Sequence, residues 1–463
     1  MTTLSKNLLD ALAAAVEAGG LRSGKVTETL DPGIDKANLD ADAVVFPTST
    51  DQVAAILRLC RDHGVAVVPQ GGRTGLASGA RSAAGQVVIA MTRMNRILDL
   101  DIQGGTALVE AGVVLSAVQD AAAQHGLSTG IDLAARDSAT IGGMISTNAG
   151  GIEAFRYGTM RHRVLGLEAV LADGTVLSDL KRVVKANEGY DLKQLFIGAE
   201  GTLGVVTAAV LDLVPEDRSG VTALVACPSV DDTLRIFRRF RGTTLGTLLA
   251  CEIMWPTYAQ MTASGLKLDN VVGFAPPDDL LLVVEFSAAD AAAAQLALEE
   301  LLGDALEAGE ASDAVIAKSG EERRRMWLVR EESFEADKAM PHGFWYDISI
   351  PHAHLQRYTD DLFARMTAID PALVVLMFGH LGDGNLHLTI TKGAPMPELH
   401  DAIDQAMFDG LQAIGGSFSA EHGIGLEKRA HLARLGQPAM LEAMRAVKRA
   451  LDPQGLMNPG KVL

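Results

Sequence analysis

Cysteine is scarce in this chain: Cys60, Cys227 and Cys251 are the only three in 463 residues, and no two form a CxxC pair. An odd, scattered set argues against a disulfide framework and a zinc ribbon, and it fits a reducing compartment. Net positive charge is also missing. With a formal net charge of -18 and a pI near 5.0, the surface would repel nucleic-acid phosphates. That global field does not exclude small anions, because a local patch can oppose it. No run approaches the ~20 apolar residues that span a bilayer. Asp10 and Glu17 interrupt an Ala/Leu-rich start that lacks the basic opening of a signal peptide. These absences predict a cytoplasmic chain with no transmembrane segment and no nucleic-acid partner, and they are compatible with peripheral attachment to the inner membrane. Internal repeats, low-complexity tracts and a P-loop G-K-[ST] are likewise lacking, so a simple ATP or NAD site loses ground.

What is present is ample core-forming material, 48% hydrophobic against 21% charged, in a length that suits two or three domains. From about 45 to 215, strands and short helices alternate with glycine-rich turns. Ser49-Thr50-Asp51-Gln52 has the form of a capping box, and Val53, Ile56, Leu57 and Cys60 follow at helical spacing. Strands are predicted over Val65–Val68, Val87–Ala90, Ile97–Leu100 and Ala107–Glu110, with a helix over Leu115–His125. Between about 217 and 420 the glycine loops thin out and longer helices appear, such as Ala288–Leu306, with strands predicted over Val221–Ala226, Leu281–Phe286 and Val374–Phe378. The last forty or so residues read as helical and end in Asn458-Pro459-Gly460-Lys461. The expected divisions are 1–216 with a helical lead-in over 1–40, then 217–420, then 421–463.

Three glycine-rich segments draw the eye. Gly71-Gly72-Arg73-Thr74-Gly75 follows a strand, where backbone N–H groups can converge on a pyrophosphate; a plain tight turn uses the same residues. Ser138 to Gly151 carries two Gly-Gly pairs among Ser and Thr, poor material for helix or strand, so a bound ligand or an irregular loop would have to satisfy its backbone. The third, Gly198 to Thr207, ends in a strand.

Taken in order with Gly158, these segments resemble the FAD-binding oxidoreductases of the vanillyl-alcohol oxidase type, and the C-terminal half is similar to the D-lactate and D-2-hydroxyglutarate dehydrogenases. The resemblance implies an α+β fold: a two-subdomain FAD-binding domain, an α+β substrate (cap) domain and a helical C-terminal segment returning to the flavin. It implies that Pro69, Gly71, Gly72, Arg73, Thr74, Gly75, Leu76, Gly79 and Ala80 wrap the pyrophosphate side. Ser138, Gly142, Gly143, Thr147, Asn148 and Gly150 would line the flavin, Val206 would meet the adenine end and Asn458 would close over the isoalloxazine. Some relatives attach FAD through a histidine in the first loop; here Arg73 and no histidine or cysteine stands there, so FAD is expected to be non-covalent.

The most informative stretch is Gly379-His380-Leu381-Gly382-Asp383-Gly384-Asn385-Leu386-His387. Asp-Gly between apolar runs predicts a hairpin. A turn at Asp383-Gly384 places His380 directly opposite His387 on one face, with Cβ atoms ~5 Å apart. Two such imidazoles either pack in a half-exposed sheet or share a metal. The resemblance implies that His380, His387 and Glu421 hold a divalent ion, zinc or manganese, in an open arrangement suited to catalysis. It further implies a substrate-carboxylate role for Arg330, a donor role for Asn385 and a general-base role for His422, whose ordinary pKa of ~6.5 suits that task.

One departure bears on the substrate. Where the 2-hydroxyglutarate enzymes carry polar or cationic groups, this chain has Phe334 and Trp345, which disfavours an unpaired distal charge. The expectation is a D-2-hydroxy acid with a neutral or apolar side chain, lactate or longer, oxidised to the 2-oxo acid. D-2-hydroxyglutarate or D-malate is the alternative, with Lys338 available to a distal carboxylate. The FAD subunit of a glycolate oxidase complex and a colourless metal-dependent hydrolase are further rivals. A quinone, an electron-transfer flavoprotein or a cytochrome is compatible as electron acceptor, and the sequence leaves room for a homodimer.

Overall fold

The computed structural model describes residues 4–24, 29–217 and 219–463. The chain divides into two compact units, Met1–Glu216 together with Glu421–Leu463, and Asp217–Ala420. Among the described residues no helix is long and apolar enough to cross a membrane.

The first unit holds two main sheets. One has four strands in the order Leu21–Ser23, Ala43–Val45, Val87–Ala90 and Val67–Gln70, the last three mutually parallel. The other is a five-stranded antiparallel sheet in the order Ile97–Asp101, Thr106–Glu110, Val205–Asp212, Val164–Val170 and Val176–Asp179. The helix Thr50–Asp62 forms where the capping residue sits: Ser49 accepts from the Gln52 N–H. Gln52 reaches back to the N–H of Thr48 instead of Ser49, and Val53, Ile56, Leu57 and Cys60 form the buried face.

Two expectations are corrected here. The strand expected over Val65–Val68 runs Val67–Gln70 and includes Pro69. Proline is tolerated because this is the outer strand of its sheet, where alternate nitrogens, Pro69 among them, face away from the neighbouring strand. The C-terminal chain meets the same strand, with Val67 N–H donating to Leu456 and Asn458 N–H to Val67. The double-glycine segment, expected to be irregular, contains the helix Ile141–Thr147, capped by Thr140 and closed by Asn148 in the left-handed region. Packing overrides propensity there: Ile141, Met144 and Ile145 are buried, and a Cβ on Gly142 would lie 2.6 Å from that of Ala111. Glycine is spent on close approach to the neighbouring strand. The C-terminal segment continues through the helices Arg429–Leu435 and Pro438–Leu451.

The second unit is built on one seven-stranded antiparallel sheet. Its order is Asp313–Ile316, Val221–Cys227, Leu280–Ser287, Thr247–Met254, Val374–His380, Asn385–Thr391 and Phe344–Ser349. The helices Val230–Gly242 and Ala291–Glu307 bury their apolar stripes, as Leu234, Ile236, Phe237 and Phe240 and as Leu298, Leu301 and Leu302.

Candidate active site

In the first unit the site is made mainly of backbone. Among the described residues, none of the N–H groups from Gly71 to Ala80 donates to another group of the chain. Arg73 and Ser78 hold positive φ of 57° and 58° within this loop. Such a run of free donors is a ready concavity for anionic oxygens. Arg73 anchors the loop through Nε to Gln70 and Nη1 to the Asp31 carbonyl, while its buried Nη2 has no partner among the described residues. Free N–H groups and an orphaned guanidinium nitrogen are the donor set a pyrophosphate requires, so the residues fit FAD.

The glycines here divide by task. A Cβ on Gly72 would fall 1.8 Å from the Ser138 carbonyl oxygen, and one on Gly71 would fall 2.1 Å from Thr140 Oγ1. These two let the first glycine loop lie against the second segment. Gly75 faces open space, and Leu76 is exposed. The Gly143 N–H donates to the capping Thr140 Oγ1, Thr147 Oγ1 donates back to the Gly143 carbonyl, and Asn148 Oδ1 accepts from Thr159 and Arg161. Ala80 accepts from Gln70, and Val206 is buried beside an irregularity in its strand.

Asn458, buried to 1% exposure, ties this region together. Its Nδ2 donates to the carbonyls of Gly79 and Glu200 at 3.1 and 2.7 Å, and Oδ1 has no partner among the described residues. Glu200, which the sequence did not single out, accepts from the N–H groups of Ile424 and Gly425 at 2.7 and 2.8 Å. Burial pushes its carboxyl above the usual range, against those bonds. It thereby fixes the chain just after His422, which is half-buried. Glu421 Oε1 accepts from the Gly151 N–H at 2.7 Å, beside Gly150.

The second unit builds its site from side chains on one sheet face. Direct cross-strand partners share a face, and so do alternate residues along a strand. One row therefore reads Glu252, His380, Asn385 and Ser349, and the next reads Met254, Phe378, His387 and Asp347. This corrects the expected hairpin register. His380 pairs with Asn385 and His387 with Phe378, so the turn spans Leu381–Gly384 and is centred one residue earlier than proposed. The shift is by two in the partner, which preserves the face. The two imidazoles are diagonal neighbours, with ring centroids 5.3 Å apart and planes at 86°.

Arg330 lies near the end of the helix Gly320–Glu331 and is buried, not a solvated helix charge. Its Nη2 is 2.6 Å from Glu252 Oε2, and its guanidinium carbon sits 4.7 Å from the centroid of Phe378, which stacks on Tyr258 at 4.3 Å and meets the His387 ring at 5.2 Å. Its Nε is buried with no partner among the described residues. Glu252 also meets His380 Nδ1 at 2.8 Å. Burial alone would raise the Glu252 carboxyl, yet His380 and Arg330 hold it below the usual range. Asn385 departs from the expected donor role: Nδ2 is engaged by Asp347 Oδ1 and the Ile348 carbonyl at 2.9 and 3.0 Å, and the free atom is the acceptor Oδ1. Phe334 and Trp345 lie edge to face, 6.4 Å between centroids, and both are exposed. Lys338 pairs with Glu335.

Glu252 and Phe378 escaped sequence reasoning. A lone carboxylate inside the apolar strand Thr247–Met254 was the available signal, since burial demands a partner for it.

Comparison with known proteins follows this division. Residues 216–462 match the FAD linked oxidases, C-terminal domain, and residues 41–179 match the FAD binding domain. The chain is 37% identical to D-2-hydroxyglutarate dehydrogenase of Xanthomonas citri pv. viticola over 91% of its length and 89% of the relative's. It is 36% identical to the mitochondrial D-2-hydroxyglutarate dehydrogenase of Bos taurus, over 90% of its length and 76% of that one. Among solved structures, p-cresol methylhydroxylase with substrate bound aligns with a TM-score of 0.74 at 16% identity, over 98% of this chain and 96% of that one. Alkyldihydroxyacetonephosphate synthase aligns with a TM-score of 0.74 at 18% identity, over 99% and 85%. These neighbours share the vanillyl-alcohol oxidase fold. With one family spanning more than half its length and relatives this similar along most of it, the chain belongs to the FAD-linked oxidases, a flavoenzyme family that includes the D-2-hydroxyglutarate dehydrogenases.

Proposed function

We propose that this protein is a dehydrogenase that oxidises a D-2-hydroxy acid with an apolar side chain to the 2-oxo acid, using non-covalent FAD and a divalent metal ion. The observation that carries the reading is the sheet face that brings His380, His387 and Arg330 together in a chain of this family. His380, His387 and Glu421 would hold the ion, and the Gly71–Ala80 loop would hold the pyrophosphate. When bound, FAD supplies the hydride acceptor and the metal supplies Lewis acidity at the substrate oxygens. His422 accepts the α-hydroxyl proton on an imidazole nitrogen, and Arg330, through the guanidinium edge that Glu252 leaves free, orients the substrate carboxylate. A cytoplasmic location and a separate electron acceptor, such as a quinone or an electron-transfer flavoprotein, complete the reading.

Anaerobic titration of the metal-replete protein with D- and L-2-hydroxy acids, following the flavin band, tests it. Bleaching by D-lactate or a longer apolar analogue is expected, and no bleaching by any D-acid would sink it. His422→Asn is expected to keep flavin and metal while turnover falls by about 10²–10⁴-fold; a fully active variant would remove the base role. The identity to D-2-hydroxyglutarate dehydrogenases favours a second reading, a dicarboxylate substrate. Under the first reading Trp345→Lys raises kcat/KM for D-2-hydroxyglutarate relative to D-lactate, by roughly fivefold for an exposed charge pair worth about 1 kcal/mol. A wild-type preference for the dicarboxylate replaces the first reading with the second.

A further inference from the structure

The two hairpin histidines share more than a sheet face. Each has a carboxylate as its direct cross-strand partner on the strand flanking the hairpin: Glu252 stands opposite His380, and Asp347 opposite His387. In both cases the nitrogen turned toward the carboxylate is Nδ1, hydrogen-bonded to Glu252 Oε1 at 3.0 Å in His380 and 3.7 Å from Asp347 Oδ1 in His387. We infer that Glu252 and Asp347 are positioning residues that hold the Nδ1 edges of His380 and His387, so that each imidazole presents Nε2 to a single divalent metal ion. This rests on the metal reading proposed above and adds what selects the ligating nitrogen.

The argument is one of donors and acceptors. An ionised carboxylate only accepts, so an imidazole nitrogen beside it must carry the hydrogen. Neutral imidazole has one such hydrogen, and placing it on Nδ1 leaves the lone pair on Nε2. Both carboxylates are held in place independently of the histidines. Arg330 grips Glu252 at 2.6 Å. Asp347 accepts from Asn385 Nδ2 through Oδ1 at 2.9 Å and from the Ala420 N–H through Oδ2 at 3.1 Å. Each is 1% exposed, so water does not compete for the imidazole edge. Carboxylates behind metal-bound imidazoles fix ring orientation and raise ligand basicity, and removing one commonly weakens metal binding by about 10–100-fold. At 3.7 Å the Asp347 contact lies beyond hydrogen-bond distance, so its hold on His387 is electrostatic and the weaker of the two.

The test uses the full-length, FAD-loaded protein, stripped with chelator and titrated with zinc(II) against a chromophoric competitor. Glu252→Gln replaces an acceptor with a group that both donates and accepts, so it satisfies either tautomer. Zinc affinity is expected to fall by about 10–100-fold in Glu252→Gln and by less in Asp347→Asn, while Glu252→Asp, which keeps the charge, restores part of the loss. Spectra of the metal-free protein carrying ¹⁵N-labelled histidine should show His380 as the Nδ1–H tautomer in the wild type and as a mixture in Glu252→Gln. Unchanged zinc affinity in Glu252→Gln, or His380 as the Nε2–H tautomer in the wild type, overturns the positioning inference and leaves the metal reading standing. A wild type that takes up neither zinc(II) nor manganese(II) overturns the metal reading, and the inference with it. If Glu252→Gln does not fold, the wild-type tautomer decides alone.

Discussion

The glycine-rich loops of the first unit and the sheet face of the second, the two halves of the candidate site, are built from different material. In the first, the chain itself is the reagent. Among the described residues, ten consecutive N–H groups from Gly71 to Ala80 meet no acceptor, and Arg73, Ser78, Asn148, Glu200 and Asn458 hold positive φ. In the second, the backbone is an ordinary antiparallel ladder and the chemistry hangs from it at fixed intervals, with Glu252, His380, Asn385, Phe378, His387 and Asp347 set by register. A backbone site is damaged by adding atoms. A side-chain site is damaged by removing charges.

The largest effect on stability should therefore come from the second unit. Arg330→Met leaves Glu252 buried beside His380 without its guanidinium, and breaking a buried ion pair costs about 3–5 kcal/mol. Chemical denaturation should show that loss. Arg324→Met, which breaks an exposed pair with Glu321 only two turns earlier on the same helix, should cost at most about 1 kcal/mol. Equal losses would mean that the Glu252–Arg330 pair is as dispensable as a surface contact.

Next comes the glycine contrast in the first unit. Gly72→Ala drives a methyl group to 1.8 Å from the Ser138 carbonyl, so two stretches of backbone must separate, whereas Gly75→Ala meets nothing within 4 Å. Overpacking of this kind costs about 1–3 kcal/mol. Gly72→Ala should lower the melting temperature and release flavin on gel filtration, with Gly75→Ala melting near the wild type. The reverse order would show that Gly75 is the constrained position and that the loop lies elsewhere.

The same contrast explains what could be read from the chain beforehand. Element type followed from apolar spacing at Val53, Ile56, Leu57 and Cys60, and the fold followed from the order of the glycine segments. The helix Ile141–Thr147 was hidden because its stability comes from burial against Ala111, which local composition does not encode. At the hairpin, the shared face of His380 and His387 was legible and the register was not: parity survives a displacement of two residues, but the partner does not. Glu252 was invisible as a histidine partner because it comes from a strand more than a hundred residues away in sequence, and only pairing reveals it.

A smaller effect separates two buried cations. Arg330 has Glu252 beside it, whereas Lys461, 5% exposed, has among the described residues no carboxylate partner and donates through Nζ to the Arg81 carbonyl at 2.6 Å. Burial depresses its amine from an ordinary 10.5 to about 8. The sign follows from proton counting. Between about 8 and 10.5 the unfolded chain holds a proton on this amine that the folded chain has released, so falling pH pulls toward the unfolded state. Stability from this group is thus present at high pH and lost as pH drops through about 8. Other groups titrate in the same window, so the quantity to follow is the difference between wild type and Lys461→Met in denaturation midpoints from neutral to alkaline pH. It should shift in favour of the wild type as pH rises. A flat difference would mean that Lys461 keeps its proton in the folded chain, and that the carbonyl of Arg81 compensates a buried charge as well as Glu252 does for Arg330.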